Sequence, residues 1–312
     1  MRILFMGTPD FAVPTLKALI DNGYDVAGVV TQTDKPRGRG HHLMPTPIKA
    51  YAQEVGLPVY QPATLRGDEF AALLEEIAPD TIVVVAYGKI LPQNVLDYPR
   101  NGCINVHGSL LPEYRGAAPM QRAIIDGKTL TGITTMLMAA GLDTGDMLLK
   151  AEVAIGEDDN FEDIHDRLAA VGADLLIKTL RGIEGGEIVP TAQDDTLATY
   201  AAKIEKSDCE IDFSLTAAEI HNKIRGMSPI PLAFTHTPDG KLLKITKSRV
   251  CHGESTDHTT CGTVISVGEE IKVACGDGEV LALLGVVPEG KGRMSAADFV
   301  RGRKIFAGDV LK

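Results

Sequence analysis

Short apolar runs alternate with amphipathic segments over the first 90 residues of the chain. Apolar runs predict strands at RILFM (2–6), DVAGVVTQ (25–32) and TIVVVAYG (81–88). Apolar residues at helical spacing predict helices between them, near residues 11–23, 45–55 and 67–77. The third strand is β-branched on both faces, which is typical of a strand buried between two helical layers. The alternation predicts an α/β fold with a Rossmann-like, doubly wound, mostly parallel sheet.

The pattern changes after residue 131. Two further strands are predicted at 131–139 and 147–153, with a Gly/Asp-rich loop between them. A long helix is predicted over about 160–184. The polar segment 189–207 lacks sustained apolar periodicity and predicts a linker, so that residues 1–188 form one domain.

Residues 208–312 have a different character and predict a second domain. Asp277-Gly278 stands between two apolar runs, which is a strong hairpin signal. Several closely spaced short strands predict a small β-barrel or sandwich. TAAEIHNKIRG (216–226) and SAADFVRG (295–302) predict two helices within this domain.

The composition is that of a globular protein. The chain has 312 residues, of which 44% are hydrophobic and 23% charged. No apolar run reaches the roughly 18 residues of a membrane span, and the N-terminus resembles a first strand more than a signal peptide. Five cysteines without a C-x-x-C motif argue against a disulfide framework and a zinc site. We therefore expect a cytoplasmic protein without a membrane segment or a metal. A monomer is a separate expectation that this composition does not test.

The charge is unevenly distributed. The net charge is −11, which opposes a nucleic-acid partner. Residues 34–49 are an exception, with four basic residues and one acidic residue. Charge alone supports an anion-binding loop and an ordinary solvated loop equally.

The stretch INVHGSLLPEYRG begins as a strand and places Asn105 and His107 two residues apart. Period two puts both side chains on one face, and ligands of open α/β sheets bind beyond the carboxyl ends of strands. Asn can donate a hydrogen bond to a carbonyl oxygen that gains charge, and His can move a proton near neutral pH. The pair suits acyl transfer, although a turn-forming Asn and a buried His would explain the same residues.

A second candidate is Asp143 in the loop GLDTGD. Beside an imidazole, this carboxylate would select one tautomer or accept a hydrogen bond from a nucleophilic amine. An Asx-turn is the alternative explanation. No nucleophile elbow, Cys–His pair or H-E-x-x-H motif is present, so direct attack by a substrate on an acyl donor is expected. Only Gly7 of a G-x-G-x-x-G fingerprint is present, which argues against NAD or FAD.

Two longer stretches carry a family resemblance. INVHGSLLPEYRGAAPMQRAI and GITTMLMAAGLDTGDML resemble the signature of enzymes that transfer formyl groups from 10-formyltetrahydrofolate. The resemblance implies a formyltransferase fold in which Asn105, His107 and Asp143 form the catalytic trio. Tetrahydrofolate would be the product.

The resemblance also assigns a role to the loop that follows the strand. The Ser-Leu-Leu-Pro segment is similar to the loop with which this family helps to bind the folate cofactor. The implied cofactor-binding residues are Ser109, Leu110, Leu111 and Pro112.

Within this family the chain is most similar to members that act on initiator methionyl-tRNA, through GTPDFAVPTLKAL, TDKPRGRGHHLMPTPIK and VVVAYGKILP. This implies that Lys35, Arg37 and Arg39 contact tRNA and that Phe11 lies near the methionyl side chain. The second domain would be an OB-like barrel that binds tRNA. The chain has no Trp, and Tyr114 follows Leu-Leu-Pro where family members often carry one.

The sequence is also compatible with two other functions. Another folate-dependent formyltransferase or hydrolase, acting on a nucleotide sugar or releasing formate, could share Asn105, His107 and Asp143. A non-catalytic RNA- or nucleotide-binding protein is the alternative from another class. The basic loop, the AAPMQRA continuation and the second domain favour tRNA.

Overall fold

The computed structural model describes residues 1–37, 42–256 and 259–312, with only the backbone at Arg37 and His42. The helices are α1 Val13–Asp21, α2 Pro47–Glu54, α3 Asp68–Ile77, α4 Gln93–Leu96, α5 Pro119–Ile125, α6 Phe161–Glu184, α7 Ala217–Gly226 and α8 Ala296–Arg301. In these described ranges, no helix has both the length and the apolar character needed to span a membrane.

The strands alternate with these helices in the first half and dominate the last third. They are β1 Arg2–Gly7, β2 Asp25–Val30, β3 Lys35–Arg37, β4 His42–Met44, β5 Val59–Tyr60, β6 Thr81–Val85, β7 Cys103–His107, β8 Arg115–Gly116, β9 Leu130–Leu137, β10 Met147–Ala154, β11 Tyr200–Ala201, β12 Ala233–His236, β13 Leu242–Ser255, β14 Val264–Val267, β15 Ile271–Ala274, β16 Glu279–Pro288 and β17 Met294–Ser295.

The chain divides into two compact units, each assembled from three segments. One unit contains Met1–Gly116, Gly132–Val153 and His165–Tyr200, and the other contains Ala117–Thr131, Ala154–Ile164 and Ala201–Lys312. The domain boundaries predicted from the sequence stay a prediction, since the units alternate along the chain. The predicted linker is not structureless, because it contains a short 3-10 helix at Asp195–Leu197.

The first unit is built on a seven-stranded sheet in the order β10-β9-β7-β6-β1-β2-β5. Five neighbouring strands of this sheet are parallel, namely β7, β6, β1, β2 and β5. Strand β9 pairs with β7 in the antiparallel sense. The predicted α/β class with a mostly parallel sheet is therefore confirmed.

Helices cover both faces of this sheet. On one face, Leu4, Met6 and Val84 of the strands share a buried cluster with residues of α3 and α4. On the other, Gly172 of α6 comes so close to Val106 that a Cβ at residue 172 would lie 3.0 Å from it. The strands are apolar on both faces because both faces are buried.

The predicted first helix starts later than its sequence pattern indicates. Residues Asp10–Ala12 form a 3-10 turn, and the α-helix begins at Val13 with Pro14 in its first turn. Proline is accepted there because the first N–H groups of a helix have no intrahelical acceptor. The early apolar residues of the pattern therefore belong to the 3-10 turn.

The second unit contains an antiparallel sheet in the order β12-β13-β16-β15-β14, with β17 beside β16. Its core includes apolar residues of α7 and α8. β15 and β16 form the hairpin predicted around Asp277-Gly278, and Gly278 adopts the left-handed φ of +79° that this turn needs.

The C-terminal residues connect the two edge strands of this antiparallel sheet. Lys312 exchanges backbone hydrogen bonds with His236 of β12, at 2.8 and 3.1 Å. The N–H of Val264 in β14 donates to the carbonyl of Asp309 at 2.8 Å. These bonds satisfy backbone groups of both edges and give a barrel-like closure, consistent with the predicted β-barrel.

Candidate active site

Asn105 and His107 lie at the carboxyl end of β7, on the same face as predicted. Cys103, two residues earlier, belongs to the cluster with α3 and α4, whereas Val106 faces α6. Asn105 and His107 therefore point to the α3 and α4 side, beyond the end of the strand. Both are largely buried, with exposed fractions of 9% and 5%.

The ring of His107 is oriented by the backbone of the following turn. Its Nε2 lies 3.0 Å from the carbonyl oxygen of Tyr114. A carbonyl oxygen can only accept, so Nε2 carries a proton and donates it. Nδ1 is then the nitrogen whose protonation can change during a reaction. Tyr114 has a left-handed φ of +59°, and its N–H donates to the hydroxyl of Thr199 at 2.8 Å.

Asp143 lies on the Nδ1 side of the imidazole. Its Oδ2 is 3.7 Å from Nδ1 of His107 and accepts a hydrogen bond from the N–H of Gly116 at 2.8 Å. A separation of 3.7 Å is an ion-pair distance but too long for a direct hydrogen bond. The carboxylate can therefore stabilise an imidazolium and also accept a hydrogen bond from a substrate N–H.

The Asn105 side chain differs from its neighbours in having no hydrogen bond to another residue that the structure describes. Its amide donor still reaches solvent, because among the described residues the Tyr87 hydroxyl is the one fully buried side-chain polar atom without a partner. A carbonyl oxygen of a ligand at the strand end would satisfy that donor. The geometry thus brings together a donor for an oxyanion, a proton carrier and a carboxylate.

The loop predicted to bind a cofactor is held firmly against β9. The Ser109 carbonyl accepts from the Thr134 hydroxyl at 2.7 Å, and that hydroxyl accepts from the Leu111 N–H at 3.1 Å. The Lys150 ammonium donates to the Leu111 carbonyl. Ser109 and Leu111 are fully buried, so only the half-buried Leu110 and Pro112 have side-chain surface for a ligand.

Phe11 lies in the 3-10 turn after β1, and 5% of its surface is exposed. Its ring centroid is 5.4 Å from that of His165. Among the described residues, no hydrogen bond, ion pair or ring contact joins it to Asn105, His107 or Asp143. Its predicted contact with a substrate stays a prediction.

The basic loop begins as a hairpin of β3 and β4. Lys35 pairs with Met44, and Arg37 with His42. Lys35 is exposed, as are Leu43 and Met44. Arg39, the third predicted tRNA contact, lies outside the described residues.

Two buried groups near the strand ends have raised pKa values. Burial raises the pKa of the Tyr87 phenol to about 12. Burial, together with the charge of Asp97, raises the pKa of the Cys103 thiol to about 12. Because a thiol with this pKa is not ionised at neutral pH, Cys103 is not suited to be a nucleophile.

Sequence reasoning missed the residues that hold the site together. Gln193 donates to the carbonyl of Asp143, Arg115 donates to the Gln193 side chain, and Thr134 fixes the Ser109–Leu111 backbone. No local pattern marks these residues, since each acts on residues far away in the chain. In the part of the chain that the structure describes, no cluster of three or more His, Cys, Asp or Glu could hold a metal ion.

Comparison with known proteins identifies the family. The formyl transferase model matches residues 1–180, and the model of the formyl transferase C-terminal domain matches residues 203–304. The chain belongs to the formyl transferase family. It is 49% identical over 312 residues to methionyl-tRNA formyltransferase of Geotalea daltonii, covering 100% of this chain and 98% of that protein. It is 48% identical to the Clostridium novyi protein of the same name, covering 100% of both chains.

Solved structures share the formyltransferase fold. An N-formyltransferase from Helicobacter canadensis, in complex with folinic acid and dTDP-3-aminofucose, has a TM-score of 0.65 at 19% identity, over 91% of this chain and 98% of that chain. HypX from Aquifex aeolicus, in complex with tetrahydrofolic acid, has a TM-score of 0.66 at 16% identity, over 96% of this chain and 47% of that chain. At these identities the similarity shows the fold alone.

Proposed function

We propose that this formyltransferase moves the formyl group of 10-formyltetrahydrofolate to the free α-amino group of initiator methionyl-tRNA. The observation that carries the chemistry is the meeting of Asn105, His107 and Asp143 at the end of β7, with 3.7 Å between imidazole and carboxylate. The choice of acceptor is supported by near-50% identity to methionyl-tRNA formyltransferases over the full chain.

The nucleophile needs little activation. A free α-amino group has a pKa of about 7.7–8.0, and a neighbouring ester lowers it. Enough neutral amine is therefore present at pH 7 to attack the formyl carbon directly. As the new N–C bond forms, the formyl oxygen becomes an oxyanion, which accepts a hydrogen bond from the Asn105 amide.

His107 moves the proton that must leave the attacking nitrogen. Because Nε2 donates to the Tyr114 carbonyl, Nδ1 offers a lone pair on the side of Asp143. Nδ1 takes the proton from the attacking nitrogen, and the Asp143 carboxylate stabilises the imidazolium that results. When the oxyanion collapses, the bond to N10 breaks and His107 passes this proton to N10, releasing tetrahydrofolate.

The residues beside the strand end suit a flat heterocyclic donor. Leu110 and Pro112 offer apolar surface, and Ile90, in the loop after the neighbouring strand β6, is 84% exposed. The buried Ser109 and Leu111 would shape the loop instead of contacting the folate. These side chains would form an apolar wall of the donor site.

The basic hairpin would hold the acceptor end of the tRNA. Lys35 and the neighbouring Arg37 and Arg39 supply positive charge in an otherwise acidic chain. Phe11 would form part of the apolar floor for the methionyl side chain. Both assignments follow the family resemblance of the sequence.

The test is formyl transfer from 10-formyltetrahydrofolate to charged initiator methionyl-tRNA, with wild type, His107→Ala and His252→Ala compared. The wild type and the variant of the exposed His252 should formylate rapidly, and His107→Ala should be slower by about 100- to 10,000-fold. The thermal shift by 10-formyltetrahydrofolate should persist in all three. Formate without formyl-methionine, or no reaction with tRNA, would reject the acceptor and direct the assay to amino sugars.

A further inference from the structure

Residues 191–199, which we call the 191–199 segment, lie beside both loops of the candidate active site. At one end, Thr191 exchanges two backbone hydrogen bonds with Met147, at 2.8 and 2.9 Å. At the other end, the Thr199 carbonyl accepts from the Arg115 N–H at 2.9 Å, and its hydroxyl accepts from Tyr114. The segment is thus attached both to the start of β10 and to the turn that orients His107.

Between these attachments, Gln193 uses every polar atom of its side chain. Its Nε2 donates to the carbonyls of Asp143 and Gly145, both at 2.8 Å. Its Oε1 accepts from Nε of Arg115 at 3.0 Å. Because guanidinium groups only donate and carbonyls only accept, the amide can have just this orientation.

Arg115 joins the two halves of the site. The residue before it, Tyr114, accepts the hydrogen bond of His107, and the residue after it, Gly116, donates to the Asp143 carboxylate. Its side chain is 2% exposed and also donates to Asp195 at 2.7 Å. A buried guanidinium requires such partners because its desolvation is costly.

The Asp143 backbone needs support of this kind. Asp143 adopts a left-handed φ of +51°, which a non-glycine residue rarely takes without help from its surroundings. The two donations from Gln193 are made to the carbonyl of Asp143 itself and to that of Gly145, two residues on. Without them the loop can relax, and the carboxylate moves relative to Nδ1 of His107.

We propose that Gln193, held by Arg115, is a positioning residue that sets the placement of Asp143 against His107 for formyl transfer. The inference rests on the proposed function of the trio. A displacement of about 1 Å in a reacting geometry can cost about 100-fold in rate. Because Gln193 acts through Asp143 and not on a substrate, its loss should lower kcat and leave KM almost unchanged.

Two substitutions with side chains about as long as glutamine distinguish the loss of the hydrogen bonds from a change of charge. Gln193→Met is neutral and removes all three hydrogen bonds, whereas Gln193→Glu keeps an acceptor for Arg115 and removes both donors. Both should lower kcat by about 10- to 100-fold, with KM for each substrate within about twofold of wild type. Thr196→Ala is the matched control, since its hydroxyl donates to Asp194 in the same segment and, among the described residues, to no part of the site.

A second measurement needs no substrate. The ¹⁵N spectrum of the His107 ring should change in both Gln193 variants and remain that of the wild type in Thr196→Ala. A kcat within twofold of wild type, a rise in KM alone, or an unchanged ring spectrum would overturn the proposal. If the wild type fails to formylate methionyl-tRNA, the proposed function is rejected, and the ring spectrum still decides the role of Gln193.

Discussion

Asn105 shows how much of the proposed chemistry depends on one side chain. It is nearly buried, and its amide donates to no other residue within the described ranges. Its hydrogen bond would form only with the substrate and would be strongest when the formyl oxygen carries negative charge. The residue would therefore contribute to kcat more than to substrate binding.

Asn105→Ala should lower kcat/KM for formyl transfer by about 100- to 1,000-fold, because one oxyanion donor is lost. Single-turnover transfer to methionyl-tRNA measures this effect. Asn101→Ala is the matched control, since Asn101 precedes the amino end of the same strand. A loss smaller than about tenfold would remove Asn105 from the proposed role.

Gly145 lies where the neighbouring backbone leaves no room for a side chain. A Cβ at this position would overlap the carbonyl oxygen of Leu137. Gly145→Ala should therefore destabilise the protein by about 1–3 kcal/mol and lower activity, since the Gly145 carbonyl also accepts from Gln193. Thermal unfolding and the transfer assay check both effects. Gly268→Ala, where no described residue beyond the two chain neighbours lies within 4 Å of the new Cβ, should behave as wild type.

At the scale of secondary-structure elements, α7 begins with a complete capping box. The Thr216 hydroxyl accepts from the Glu219 N–H at 3.2 Å, and the Glu219 carboxylate accepts from the Thr216 N–H at 2.9 Å. The hydrogen bonds from the Thr216 hydroxyl and N–H lower the pKa of Glu219 below its ordinary value of 4.5. A carboxyl with a lowered pKa stabilises the folded state above the unfolded value, and that contribution is lost as the pH falls through the folded value.

Thr216→Ala should lower the melting temperature by about 2–4 °C at pH 7, because α7 loses its cap. The difference from wild type should shrink as the pH falls below 4.5, the ordinary value, toward the lowered pKa of Glu219 in the folded protein, because protonation there weakens the box in the wild type. Thr129→Ala, at an exposed position without a side-chain hydrogen bond, is the control. A difference that stays constant with pH would contradict the coupling to Glu219.

His221 connects α7 to two other segments of the second unit. Its Nδ1 lies 3.0 Å from the Ser248 hydroxyl in β13, and its Nε2 lies 3.2 Å from the Glu157 carbonyl. Burial lowers the pKa of His221 below its ordinary value of 6.5. Below pH 6.5 the unfolded chain therefore binds a proton that the folded protein does not. Stability is lost as the pH falls from 6.5 toward the folded pKa.

The melting temperature of the wild type should thus fall between pH 7.5 and pH 5.5, and His221→Gln should show a smaller fall. The variant is expected to be less stable at pH 7.5, so the comparison is between the two pH differences. Differential scanning fluorimetry at both pH values measures them, with the exposed His252→Gln as control. Equal pH differences in wild type and His221→Gln would exclude His221 as the source.

For the molecule as a whole, charge sets the conditions of tRNA binding. A net charge of −11 repels phosphates, so affinity would come from local sites such as the β3–β4 hairpin. Each phosphate contact releases counterions, so the logarithm of the binding constant falls more steeply with the logarithm of the salt concentration, by about one unit of slope per contact.

Lys35→Ala should weaken methionyl-tRNA binding and reduce that slope by about one, without changing the thermal shift by 10-formyltetrahydrofolate. Filter binding over a series of salt concentrations provides the measurement. Lys178→Ala, which removes an exposed charge from α6, is the matched control. If Lys35→Ala weakens folate and tRNA equally, the hairpin has a structural role instead.

The sequence by itself determined the element types, the mostly parallel sheet, the β15–β16 hairpin and the shared face of Asn105 and His107. These features follow from short-range periodicity, turn chemistry and the fixed alternation of a strand. Only the tertiary structure decided which His107 nitrogen can change its protonation, and that Gln193 donates to the carbonyl of Asp143, 50 residues away along the chain. Such contacts join residues distant in sequence, and no local pattern encodes them because their partners meet only when the chain has folded.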